Sequence, residues 1–198
     1  MSHPDCSGAV LAGGASSRFG QDKALYLWQG RSLVHWVMQS MDDAGIAPCW
    51  LVANRNYPQL PWPVIPDVWP GGDSLSGIHA ALHHARTDWV AVAACDLPQL
   101  DVDYWQLLLE ARRPGLQAVV ARGPGGFLEP LAALYHRSAL PTVEQRLQQG
   151  EYRLQSLLAD LETAVIDWAV LEAQFGPQLF LNANRPTDLG DGHGCKRL

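Results

Sequence analysis

"AVLAGGASSRFGQDKAL" (Ala9–Leu25) runs from apolar residues into two glycines, two serines, an arginine and a lysine, then back to apolar residues. Two readings compete. One is a strand, an ordinary turn and a helix. The other is a strand whose exit loop wraps phosphates. Gly13 and Gly14 permit backbone angles closed to other residues and let a ligand approach the main chain. Successive N–H groups in such a turn form an anion-binding concavity, over which Arg18 and Lys23 would close. The spacing is neither GxxxxGK[ST] nor GxGxxG, which disfavours a mononucleotide ATPase and a dinucleotide dehydrogenase.

Outward from this loop, the chain alternates strands and helices. "SGAVLAGG" reads as the first strand entering its turn. "SLVHWVMQSMDDAG" reads as a helix with Leu33, Val37 and Met41 on one face, Ser32 as its N-cap and Gly45 as its stop. Cys49–Asn54 is a second strand and Val64–Asp67 a short third. "VWPGGDSLSG" reads as a glycine-rich loop before a helix through Ile78, Ala81, Leu82 and Ala85. Trp89–Ala94 is almost wholly apolar, as expected of a strand covered on both faces. A helix over Asp103–Arg113, strands at Leu116–Gly123 and Leu131–Leu134, a helix from about Val143, a short one at "YRLQSLLADL" and a late strand at "AVIDW" complete the pattern. No linker or repeat interrupts it. The expectation is one three-layer α/β/α, Rossmann-like nucleotide-binding domain over residues 1–198 with a mainly parallel sheet and a flexible tail at 190–198. Its polar residues cluster after strand ends, where open α/β sheets bind ligands.

Bulk properties narrow the function. Net charge is −6, and Lys23 and Lys196 are the only lysines, which argues against wrapping a nucleic acid. A small phosphorylated substrate remains compatible with a few local donors and a metal ion. Cys6, Cys49, Cys95 and Cys195 form no CxxC pair, so they read as reduced and mostly buried thiols of a cytoplasmic protein, with Cys195 in the tail. The N-terminus shows no signal peptide, and no apolar run is long enough to span a membrane.

Single residues admit two readings each. Asp96 follows a buried strand, where a carboxylate suits a hard cation such as Mg²⁺ or caps a turn before Pro98. Lys23 is a phosphate contact or a solvated lysine. Asn182 and Asn184, two apart, face one side of an extended segment and either read a ligand or brace a loop. His79 and His83 are spaced i,i+4, as in a metal pair, but no third ligand is convincingly spaced, which favours a solvated helix face. Ser16 and Ser17 have no His/Asp partners in a hydrolase arrangement, and no covalent nucleophile stands out.

"LAGGASSRFGQDKAL" resembles the signature loop of nucleotidyltransferases that activate phosphorylated small molecules, and among them most resembles the molybdenum cofactor guanylyltransferases. Asp67 ahead of a loop ending in "LSG", "CDLP" at Cys95–Pro98, "FLEPLAALYHRS" and "NANRPTDL" at Asn182–Leu189 match the same family, so the likeness spans about Val10 to Leu189. Cytidylyl relatives more often carry alanine where this chain has Gly13. The family usually has glycine–proline–leucine where this chain has Asp73–Ser74–Leu75.

The resemblance implies transfer of GMP from GTP to the terminal phosphate of molybdopterin, with or without molybdenum, and release of pyrophosphate. It makes Lys23, Arg18 and Asp96 catalytic, with Asp96 holding Mg²⁺. It assigns nucleotide binding to Leu11, Ala12, Gly13, Gly14, Lys23, Asn54, Asp67, Gly77 and Asp96, and acceptor binding to Glu129, Asn182 and Asn184. Gly77 would let its helix approach the ligand. Molybdenum cofactor biosynthesis proteins and molybdoenzyme chaperones are the expected partners. The rival readings are a cytidylyl- or uridylyltransferase for another phosphorylated acceptor, and a non-catalytic nucleotide-binding assembly protein.

Overall fold

The computed structural model describes residues 5–13 and 22–189. The chain begins with β1 (Cys6–Leu11), a 3-10 turn (Lys23–Leu25), a two-stranded ribbon of β2 (Leu27–Trp28) and β3 (Arg31–Ser32), and α1 (Leu33–Asp43). Then come β4 (Cys49–Val52), β5 (Val64–Ile65), α2 (Asp73–His84), β6 (Trp89–Ala94), α3 (Val102–Glu110), β7 (Ala118–Arg122) and β8 (Leu128–His136). The described part ends with α4 (Leu140–Gln149), α5 (Leu154–Ala159), β9 (Thr163–Ile166), α6 (Trp168–Phe175) and a 3-10 turn at Pro186–Leu189.

The main sheet has seven strands in the order β5-β4-β1-β6-β8-β7-β9. Neighbours pair parallel except at β8, which is antiparallel to both β6 and β7. The expected three-layer, mainly parallel architecture is therefore present. β1 and β6 lie at its centre, paired from Cys6↔Trp89 to Leu11↔Ala94. Their continuous apolar sequences follow from cover on both faces. Val34, Val37, Met38 and Met41 of α1 and Tyr104, Trp105 and Leu108 of α3 pack on one face with Val10, Ala91 and Ala93. Leu75 and Ile78 of α2, Val143 and Leu147 of α4 and Leu157 of α5 pack on the other with Ala9, Val90 and Val92. Each Val, Leu, Ile or Met among them, fully withdrawn from water, contributes about 1.5–3 kcal/mol before entropy is counted.

Several boundaries differ from expectation. The stretch expected to be loop through Gly77 is helical from Asp73, with Gly72 as N-cap. Leu75 and Ile78 are fully buried in α2, so tertiary burial overrides the loop-like composition of "GGDSLSG". The strand expected at Leu131–Leu134 runs from Leu128 to His136, because it pairs on both edges. β4 and β5 stop at Val52 and Ile65, short of Asn54 and Asp67. Pro141 in the first turn of α4 starts that helix at Leu140 rather than near Val143. Ser32 occupies the N-cap position of α1, but its side chain makes no capping hydrogen bond.

The β2–β3 ribbon and α6 are additions to the expected pattern. The ribbon turns through Gln29 (φ 50°) and Gly30 (φ 79°), the paired left-handed angles that a tight hairpin needs. Tyr26 and Trp28 pack with Leu33, Ala183 and Leu189. This contact brings the C-terminal segment beside the 3-10 turn that carries Lys23. Cys6 and Cys95 are buried, Cys49 is half-buried, and all three are free thiols; Cys195 lies outside the described residues. No helix among the described residues is long and apolar enough to cross a membrane.

Candidate active site

β1 and β6 are adjacent in space, yet α1, β4 and β5 separate them in the chain. The connection after β1 leaves toward one edge of the sheet, and the chain after β6 moves toward the other. A crevice opens at the carboxyl ends of strands at such a reversal. Here it is a cleft of about 730 Å³ lined by Leu11–Gly13 after β1 and Ala94–Asp96 after β6. Lys23, Asn54, Asp67, Asp73, Ser74 and Gly77 complete most of its wall. A second cavity, of about 430 Å³, lies at the opposite strand ends between Trp89, Arg112 and His136. Its Arg112 is already tied to Asp5 at 2.8 Å.

The most polar part of the cleft joins three distant segments. Asp22 caps the 3-10 turn by accepting from the Ala24 N–H at 3.1 Å, which sets the orientation of Lys23. Lys23 Nζ then donates to Asp96 Oδ2 at 2.5 Å and to Asn184 Oδ1 at 2.9 Å. The Ala183 N–H donates to the Asp96 carbonyl at 2.9 Å, and Ala183 is fully buried. Asn182 and Asn184 flank it, both exposed. The alternation expected of this pair holds, but it is Asn184 that bonds to Lys23.

Asp96 Oδ1 is buried and has no hydrogen-bond partner among the described residues. An ionised carboxylate oxygen in that condition is costly, and a hard divalent cation satisfies it well. Mg²⁺ binds through one or two carboxylates and fills its remaining positions with phosphate oxygens and water. The donor set at Asp96 fits that requirement. Cys95, adjacent in the wall, has its thiol pushed up to about 12 by burial and next by Asp96. It remains protonated at neutral pH and is no nucleophile.

The opposite wall is self-contained. Asn54 Nδ2 donates to Asp67 Oδ2 at 2.8 Å, and the Asp67 N–H donates to Asn54 Oδ1 at 3.0 Å. This reciprocal pair fixes the loop ends after β4 and β5 and presents polar edges to the cleft. Asp73 lines the same region with φ 48°, a left-handed angle that a glycine adopts without cost.

The main chain is less available than expected. The Ala12 N–H donates to the Val52 carbonyl at 2.9 Å, and the Ala12 carbonyl accepts from Tyr57 Oη at 3.1 Å. Burial, and then Asp22, holds the Tyr57 hydroxyl above its ordinary range, so it remains a donor. The Leu11 carbonyl accepts from Cys95 N–H at 3.1 Å. Leu11 and Ala12 therefore offer the cleft mostly surface. At Gly13 an added Cβ would meet nothing within 4 Å among the described residues, and its φ is not in the left-handed range. Among the described residues neither packing nor conformation demands glycine there, and its bareness leaves room in the cleft.

Gly77 lines the cleft and also seats its helix on β1. A Cβ there would lie 2.8 Å from Leu11 Cδ1. The close approach it permits is that of α2 to β1, in addition to its own place in the cleft wall. Glu129 is not among the cleft-lining residues. It lies half-buried in β8 against Gly123, where a Cβ would clash with its Oε1. Burial pushes its carboxyl up to about 7. Gly14 and Arg18, with Ser16 and Ser17, lie outside the described residues.

Two features escaped the sequence reading. Asp22 lines the cleft, orients Lys23 and pairs with Arg55 at 3.1 Å; its place immediately before Lys23 was the available signal. The histidine pair on α2 does meet a third group of ligand type, Glu144 of α4. Separation along the chain hid it.

Comparison with known proteins gives this geometry a context. Residues 8–165 match the MobA-like NTP transferase domain. A protein of Deinococcus radiodurans named "Probable molybdenum cofactor guanylyltransferase" is 45% identical over 190 residues, covering 94% of this chain and 93% of its own. The molybdenum cofactor guanylyltransferase of Vibrio cholerae is 35% identical, over 93% of this chain and 90% of its own. Among solved structures, molybdopterin-guanine dinucleotide biosynthesis protein A from Archaeoglobus fulgidus superposes with a TM-score of 0.76 at 28% identity. That match covers 92% of this chain and 94% of the other.

Proposed function

The chain belongs to the MobA-like NTP transferase family, and on that footing we propose that it transfers GMP from GTP to the terminal phosphate of molybdopterin, with or without molybdenum. Pyrophosphate is the second product. The observation that carries this reading is the meeting of Lys23, Asp96 and Asn184 at the carboxyl end of β6, with one Asp96 oxygen buried and unpartnered among the described residues.

The chemistry balances without a covalent enzyme intermediate. An oxygen of the acceptor phosphate attacks the α-phosphorus of GTP in line. A new phosphoanhydride bond forms as the α–β bridging bond breaks, and the electron pair leaves on pyrophosphate. The attacking oxygen is already ionised, so no strong general base is required. What remains is positioning and neutralisation of charge.

Lys23 supplies a fixed positive charge at the α-phosphate end, oriented by Asp22 below it and by Asp96 and Asn184 beside it. Arg18 serves the β- and γ-phosphates. Asp96 would hold Mg²⁺, which when bound supplies charge neutralisation for the triphosphate. Asn54 and Asp67 face the ribose and base. Leu11, Ala12, Gly13, Gly14 and Gly77 shape the nucleotide side. Asn182, Asn184 and Glu129 are assigned to the acceptor. The reading places the protein in the cytoplasm, among molybdenum cofactor biosynthesis proteins and molybdoenzyme chaperones.

The test is pyrophosphate release by purified protein with Mg²⁺ and molybdopterin, comparing GTP, CTP, ATP and UTP, with Asp96→Ala alongside. Release with GTP alone, lost in the variant, is the expected result. Release with CTP or UTP instead would keep the reaction and overturn the base. No release with any nucleotide by folded protein would leave a nucleotide-binding assembly role in its place.

A further inference from the structure

α2 and α4 are packed closely on the outer face of the sheet. At the head of α2, a Cβ on Gly72 would lie 2.6 Å from Leu147 Cδ2 of α4. Two turns further along, His79 is buried, with a side chain 4% exposed, and its Nε2 lies 3.4 Å from Glu144 Oε1. His83 follows one turn later, its ring stacked on His79 with centroids 5.6 Å apart. One ligand atom from each of His79, His83 and Glu144 falls within 4.8 Å of the other two. The other ring nitrogen of His79, Nδ1, is buried and has no partner among the described residues.

We propose that His79, His83 and Glu144 form a site for one divalent cation of the zinc class, on the α2–α4 face and separate from Lys23 and Asp96. The chemistry selects the ion. Imidazole suits zinc, copper, iron and nickel, whereas magnesium and calcium prefer all-oxygen shells. Two imidazoles and a carboxylate make a three-ligand zinc set whose fourth position goes to water, and the exposure of His83 leaves that position open to solvent.

Distance points the same way. At 3.4 Å the His79–Glu144 contact is long for a hydrogen bond. Bonds of about 2.0–2.1 Å in a tetrahedral shell set neighbouring ligand atoms about 3.4 Å apart. The pair is thus already at the spacing that an ion between them requires. The two helices supply a rigid frame, because Val143 and Leu147 on α4 and Leu75 and Ile78 on α2 are fixed in the core. A cation here ties α4 to the helix that also carries Asp73, Ser74 and Gly77 into the cleft.

The test uses the full chain, freed of metal by a chelator and titrated calorimetrically with Zn²⁺ in excess Mg²⁺, which occupies hard oxygen sites without competing for imidazole. One Zn²⁺ per chain is expected. Co²⁺ in its place should show d–d absorption without a thiolate charge-transfer band, which excludes the cysteines as ligands. Partners merely hydrogen-bonded to a metal ligand are worth about 10- to 100-fold in affinity, so His83→Ala and Glu144→Gln should each weaken binding at least about 100-fold. Both positions are solvent-accessible, and unchanged circular dichroism will show that the variants fold. His79→Ala is the less informative change because the side chain is buried. Absence of stoichiometric binding, a thiolate band, or Zn²⁺ affinity unchanged in both variants would overturn the proposal and leave His79–Glu144 as a polar contact between helices.

Discussion

On one wall of the cleft, Lys23 is held between Asp96 and Asn184, from segments 73 and 161 residues away. On the other, Asn54 and Asp67, 13 residues apart, hold each other. The first wall leaves a buried carboxylate oxygen unpartnered among the described residues; on the second, two reciprocal hydrogen bonds join Asn54 and Asp67 in a closed pair. The first has charge to offer a reacting phosphate. On the proposed reading the second serves shape and hydrogen-bond recognition, in which the group recognised undergoes no change. The difference teaches where catalytic and binding effects should separate.

The largest effect belongs to the first wall. Lys23→Met should lower kcat by about 100- to 1,000-fold, as loss of one charge-stabilising donor does elsewhere, with KM for GTP changed far less. Single-turnover pyrophosphate release checks it. A fall of less than threefold would make Lys23 a structural lysine and break the comparison at its strongest point.

Next comes the second wall. Asn54→Ala opens the reciprocal pair and should raise KM for GTP by about tenfold, the worth of one or two net hydrogen bonds, while kcat holds. Steady-state kinetics with each nucleotide decides it. A drop in kcat at unchanged KM would mean that the walls are coupled in the transition state.

Gly77→Ala acts on the packing of α2 against β1. The added Cβ displaces a terminal methyl of Leu11, a side chain that can give way, so the cost should sit near the low end for overpacking, about 1 kcal/mol. Gly13→Ala, which meets no described neighbour, should leave stability within about 0.5 kcal/mol and act on nucleotide binding alone. Chemical denaturation of the two variants side by side reads the contrast.

The effect confined to one pH window concerns Glu129, outside both walls. Its carboxyl is raised by burial from the ordinary 4.5 to about 7. The folded form therefore holds the proton more tightly than the unfolded chain does. Its contribution to stability is fully present below 4.5 and is lost as pH rises through 7. Glu129→Gln should flatten that part of the melting-temperature profile. If the slope survives, another group causes it.

The legible parts of the molecule were those whose cause is local. The unbroken apolar runs of β1 and β6 announce strands covered on both faces, and Asp96 follows one of them directly. The first turn of α2 was hidden because its glycines and polar residues resemble a loop, while the burial that makes it helical comes from β1 and α4. The ribbon was missed because Gln29, rather than asparagine, takes the left-handed position before Gly30. Asp22 stood within the quoted loop, but its capping role depends on the turn it creates. Choosing Asn184 over Asn182 as the partner of Lys23, or finding Glu144 opposite His79, requires segments to be brought together by folding, and no local pattern records that.

The bond from Lys23 to Asn184 also has a consequence in time. A ribosome delivers the lysine first and the asparagine 161 residues later. The central strands can pair before then, but the segment that seats Ala183 under Asp96 must still be made. During synthesis the nascent chain therefore carries Lys23 and Asp96 for an interval before the segment with Asn184 emerges and completes the contacts around the lysine.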